Sequence, residues 1–158
     1  MQLSFLWEIF KPAVKPARRP IVNDTRFLSV TELSMLWQQL AIEYFPACPN
    51  LMTFKIKWSR RGGKRLLASC NNQRKTINVS HVLANPKFRA TLAPLLYHEM
   101  CHAVLGEPKR VNGRFQIHGK DFKQLEKLHP QTAELNKWIK SGGWTSARRS
   151  YGQLNRLR

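Results

Sequence analysis

Negative charge is what this chain most lacks: nine Asp and Glu stand against 27 Lys and Arg. Between Glu43 and Glu99 there is no acidic side chain at all. Cysteine is also sparse. Cys48, Cys70 and Cys101 form no C-x-x-C pair, so a zinc ribbon cannot be built from them. An odd number of isolated thiols fits a reducing compartment, and a cytoplasmic location is expected, nucleoid-associated in a bacterium. Long apolar runs are missing too: nothing approaches the roughly 18 residues of a membrane span, so no membrane partner is expected. The opening stretch Met1–Phe10 is apolar but short, carries Glu8 and lacks a basic n-region. That argues against a secretory signal and leaves two expectations, packing on the domain, which is favoured, or a docking peptide for a partner.

What is present in excess is positive charge. The formal net charge is +18 and the pI is near 10.7, far beyond what solubility requires. Ten basic residues lie in the acid-free stretch, among them Arg60, Arg61, Lys64 and Arg65. A polyanion is the natural partner for such a surface, and nucleic acid is the commonest. A solvated cationic surface with no specific partner is the plainer alternative.

At 158 residues, 42% of them hydrophobic, the chain suits one compact domain with tails, expected as a monomer. Residues 1–28 read as a basic, Pro-containing arm, 29–141 as the domain and 142–158 as a basic tail. Ser29-Val30-Thr31-Glu32 has the form of a capping box, and Leu33, Leu36, Trp37, Leu40, Ala41 and Tyr44 follow at helical spacing. Thr53–Trp58 alternates polar and apolar, and Leu66–Cys70 and Thr76–Ser80 look like two further strands. Three strands close in sequence predict a small antiparallel sheet. Asn85-Pro86 opens a helix, which either kinks at Pro94 or restarts there, and Gly106 and Pro108 end it. Residues 107–117 read as a polar loop, followed by helices over 119–129 and 131–140. The fold class is therefore α+β.

Within the apolar run Leu92–Leu105 sits His98-Glu99-Met100-Cys101-His102, an H-E-x-x-H motif. Residues four apart share a helix face, so both imidazoles can reach one ion. Glu99 then stands where it can take a proton from a metal-bound water. Two imidazoles that merely decorate a helix are the bland reading, but polar groups within an apolar run need partners. Cys101 lies within the motif yet points away from the histidine pair, so burial is the better expectation for it. A catalytic zinc commonly takes three protein ligands. The metzincin pattern would put a His at position 108, which is Pro, so that class is excluded. Two candidates for the third ligand remain, Glu126 and His118.

His118-Gly119-Lys120-Asp121-Phe122 following this H-E-x-x-H resembles the SprT-like family, whose H-G-x-x-aromatic element supplies the third histidine. The upstream runs Phe54-Lys55-Ile56-Lys57-Trp58 and Ile77-Asn78-Val79-Ser80 are similar to that family's layout as well. The resemblance covers about Ser29 to His129. It implies a zincin-like minimal metallopeptidase domain: an N-terminal helix, a small antiparallel sheet, the H-E-x-x-H helix and closing helices. It further implies Zn2+ held by His98, His102 and His118, with Glu99 as general base. Protein substrates are implied, in the best-known members those trapped on DNA. Many relatives carry an added DNA-binding module, which this chain lacks the cysteines to build as a ribbon. DNA contacts are then expected from the arm, from Arg60, Arg61, Lys64 and Arg65, and from Arg148 and Arg149 in the tail. Trp144, set among arginines outside the expected core, is the candidate for stacking on unpaired bases. Tyr97 and Arg114 are candidate oxyanion donors. The rival function is a non-catalytic nucleic-acid-binding module in which zinc only holds the fold.

Overall fold

The computed structural model describes residues 27–59 and 66–156. The expected DNA contacts Arg60, Arg61, Lys64 and Arg65, and all but the end of the N-terminal arm, lie outside the described residues.

Helix α1 (Val30–Tyr44) starts where the capping box predicts. The Glu32 amide donates to Ser29 Oγ at 3.1 Å, and the Ser29 amide donates to Glu32 Oε2 at 2.8 Å. Two of the amides left orphaned at a helix start are thereby satisfied. Its buried face is Leu33, Trp37, Leu40 and Ala41, and Trp37 Nε1 donates to the Leu51 carbonyl at 2.9 Å. That bond lets a large indole sit in the core without stranding its polar atom.

Three strands follow: β1 (Lys55–Ser59), β2 (Ala68–Asn71) and β3 (Thr76–Ser80). The sheet is mixed, in the order β1-β3-β2, which corrects the expectation of a purely antiparallel one. β2 and β3 pair antiparallel through the turn at 72–75, whereas β1 pairs parallel with β3, Ile56 opposite Ile77. Sequence neighbours β1 and β2 are not spatial neighbours, because β3 pairs with both and lies between them. The burial explains the choice. Ile77 and Val79 on β3 are fully enclosed, as a central strand requires, while β1 shows Lys55 and Lys57 to solvent along an edge.

Helix α2 (Arg89–Leu105) runs through Pro94 without a break. Pro94 costs one intrahelical hydrogen bond, but near the N-terminus few turns precede it to clash with its ring. A short 3-10 turn, Pro86–Phe88, precedes the helix and is capped by Asn85 Oδ1 accepting from the Lys87 amide at 3.0 Å. Leu92, Leu96, Met100 and Cys101 are almost wholly buried against α1 and the sheet.

Beyond α2, residues expected as an irregular loop form a hairpin, β4 (Lys109–Val111) and β5 (Arg114–Gln116). Asn112 and Gly113 at its tip have φ of 51° and 77°, the geometry of a tight two-residue turn whose twist suits paired strands. Helices α3 (Lys120–Glu126) and α4 (Thr132–Lys140) fall within the two predicted spans. The basic tail is helical as well: α5 (Gly143–Arg156) packs on α4. Trp144, expected outside the core, is 9% exposed and joins it with Ala147, because its helical placement turns it inward onto the domain. A stacking role for Trp144 is therefore withdrawn. Arg149 is exposed and Arg148 half-buried. Among the described residues, no helix is long and apolar enough to cross a membrane.

Candidate metal centre

His98 and His102 project from one face of α2, a turn apart, and His118 arrives from the end of the β4–β5 hairpin. The three rings form a nearly equilateral set, with each pair of centroids 5.0 Å apart. One nitrogen from each lies within 4.8 Å of the others, and His118 Nε2 is 3.1 Å from His102 Nε2. Tetrahedral ligands bound to a zinc at about 2.05 Å stand roughly 3.3 Å apart, so this separation suits a shared ion. The nitrogen-only donor set is also one that zinc favours.

Electrostatics keep the rings in their ligand form. Burial, with His98 and His118 alongside, pushes His102 down to about 4, and burial chiefly lowers His118 as well. Both rings are therefore neutral at physiological pH, with lone pairs free for a cation.

Phe122 is the floor of this cluster. Its ring is 3% exposed and its centroid lies 4.5–5.0 Å from all three imidazoles. It belongs to the H-G-x-x-aromatic element, so one short segment delivers a donor and the surface it rests on. Glu126 and His118 were the two open candidates for the third ligand, and the geometry separates them. Glu126 Oε1 lies 2.6 Å from His98 Nδ1, behind the ring. It therefore accepts from Nδ1 and leaves Nε2 for the ion, the arrangement of many metal-bound histidines. Glu126→Ala is expected to weaken zinc affinity about 10- to 100-fold, measured by competition with a chromogenic chelator. Unchanged affinity would show that His98 needs no such orientation.

The far end of α2 is held too. Asn72, in the β2–β3 turn, donates through Nδ2 to the His102 carbonyl at 3.0 Å, and the Gly106 amide donates to the same oxygen at 3.0 Å. Tyr97, expected as a possible oxyanion donor, is committed elsewhere. It is 1% exposed and its hydroxyl donates to the Leu125 carbonyl at 3.0 Å, tying α2 to α3. Cys101 is fully buried with its thiol pushed up to about 12, and it is not among the clustered donors. Asn72, Phe122 and the orienting role of Glu126 were not foreseen. Only Phe122 left a signal in the sequence, as the aromatic of its motif.

Glu99 is 4% exposed and burial raises its carboxyl to about 7. A buried carboxyl that titrates near neutrality, next to a donor cluster, has the property a proton carrier needs. Beside the cluster opens a cleft of about 190 Å³, walled by His102, Leu105, Phe122, Ile117, Gln116 and Lys109 among others.

No curated protein matches this chain. A family model does, over residues 33–139, which spans α1, the sheet, the histidine cluster and α4. The match covers about two thirds of the sequence and includes every residue of the metal centre, and by it the chain belongs to the SprT-like family.

Proposed function

We propose that this protein is a zinc-dependent endopeptidase acting on proteins bound or crosslinked to DNA. The observation that carries the reading is the convergence of three imidazoles beside a buried carboxyl of near-neutral pKa, carried by the helix that supplies two of them. His98, His102 and His118 would hold a zinc ion there, and when bound it would supply the Lewis acidity that acidifies water and polarises a peptide carbonyl. Glu99 accepts the proton of the attacking water on its carboxylate and returns it to the departing amine, and a pKa of about 7 suits both transfers. The cleft beside His102 accommodates the substrate residues flanking the scissile bond, with Leu105, Ile117 and Phe122 as apolar walls. Arg114, exposed on β5, remains the candidate for meeting the oxyanion.

The rival, a nucleic-acid-binding module with structural zinc, is disfavoured by the donor count. Structural sites usually have four protein ligands, whereas three histidines cluster here among the described residues. A cleft against the centre has no purpose in that reading. The charge of +18 supports DNA as the place where substrates are met.

The decisive test is hydrolysis of unfolded casein and of a DNA-crosslinked protein by zinc-loaded, chelated and reloaded protein. Cleavage is expected to vanish on chelation and return with zinc. Cleavage that persists in the chelated protein would overturn the assignment. A DNA-crosslinked substrate cut no faster than casein would remove DNA from it.

A further inference from the structure

The hairpin that leads into His118 has two faces with different chemistry. Cross-strand partners share a face, so Lys109 pairs with Gln116 on one side, and Arg110 pairs with Phe115 on the other. Lys109 and Gln116 line the cleft beside His102. Arg110 and Phe115 therefore point away from it, out from the body of the domain. Phe115 is 63% exposed, and the Arg110 guanidinium lies 4.8 Å from its ring centroid. An aromatic ring this exposed at the end of a rigid tight turn has no role in the core. The hairpin from Lys109 to Gln116 carries three cations and no acid.

We propose that this outward face is a binding site for single-stranded nucleic acid, with Phe115 stacking on an unpaired base. The free side of the ring takes the base, while Arg110, the cation that shares its face, covers the opposite side and meets a phosphate. Stacking on aromatic rings combined with basic side chains is how unpaired strands are held without sequence preference. The charge of the hairpin selects a polyanion over a neutral or basic peptide, and the exposed ring selects unpaired bases over duplex. The proposal rests on the reading of DNA as this protein's partner, but not on its hydrolytic activity. It also gives the hairpin a second consequence: nucleic acid and polypeptide would lie on opposite sides of one two-stranded ribbon, with His118 at its base.

The test uses full-length Glu99→Gln protein, so that hydrolysis plays no part, and a fluorescein-labelled oligodeoxythymidylate read by anisotropy. Phe115→Ala is expected to weaken binding roughly 5- to 100-fold with little change in salt dependence. Phe115→Trp is expected to restore it. Arg110→Gln is expected to reduce the slope of log affinity against log salt by about 0.7, the contribution of one phosphate contact. Arg110 and Phe115 are both exposed, and an unchanged far-UV spectrum and zinc content would confirm intact folding. Equal binding by Phe115→Ala and the parent would overturn the site. So would displacement of the oligonucleotide by polyglutamate as effectively as by unlabelled strand, which would identify a general anion or acidic-peptide surface. In either event the peptidase reading stands, since no cleavage is measured.

Discussion

Glu99→Gln is expected to keep its zinc and lose about 10²- to 10⁴-fold in kcat, the usual contribution of a positioned proton carrier. The amide has nearly the shape of the acid but cannot accept a proton from water. The substitution leaves the three imidazoles untouched, so metal content separates loss of chemistry from loss of the site. Retained proteolysis at full metal occupancy would sink the role assigned to Glu99. The same variant carries a stability signature in the chelated protein. Burial raises the Glu99 carboxyl from an ordinary value of 4.5 to about 7 in the folded state. A raised pKa means the folded state binds this proton more tightly than the unfolded chain does. Its stabilising effect is full below 4.5 and is lost as pH climbs through about 7. Chelated Glu99→Gln is therefore expected to be more stable than the parent at mildly alkaline pH, by on the order of 2–3 kcal/mol, with the two converging in acid. His102 works in the opposite direction in both proteins. Its pKa is lowered to about 4, so stability is lost as pH falls from 6.5 towards that value. Urea unfolding across pH would resolve the two slopes.

Phe122→Ala is expected to be the costliest single change near the centre. Removing a buried phenylalanine typically costs about 3–5 kcal/mol through lost transfer energy and the cavity left behind. Here the cavity would open beneath three imidazoles whose centroids all lie within 5.0 Å of the ring. The rings would gain freedom that zinc binding must then remove, so metal affinity should fall along with stability. Phe122→Leu separates the effects: it refills most of the volume but provides no flat surface. Its stability should recover further than its zinc affinity. If the alanine variant unfolds early yet binds zinc as tightly as the parent, Phe122 is core and nothing more.

That His98 and His102 share a helix face was legible in the sequence because its determinants are local. A spacing of four on a helix fixes two donors, and the capping box at Ser29 fixes the start of α1, without reference to the rest of the chain. What was not legible depends on distant contacts. The order β1-β3-β2 depends on which strand pairs on both edges, and alternation in Lys55–Trp58 says nothing about its neighbour. Trp144 looked solvated because arginines follow it, yet helix periodicity carries the indole inward while Arg149 faces solvent. The hairpin was missed because each strand has only three residues, too few for a period to show, although Asn112-Gly113 is the usual signal for such a turn. Glu126 was weighed as a ligand from its spacing. The structure instead puts its Oε1 2.6 Å from Nδ1 of His98, away from the clustered donor atoms.

All three histidines come from one short stretch of chain, from the end of α2 to the start of α3. The core around Trp37, Ile77, Leu83 and Leu96 closes without them. On the proposed reading, the ion would therefore join a scaffold whose core residues are not its ligands, unlike small domains that collapse around their metal. Starvation for zinc would leave a reservoir of well-formed but silent molecules, and resupply would awaken it without fresh translation.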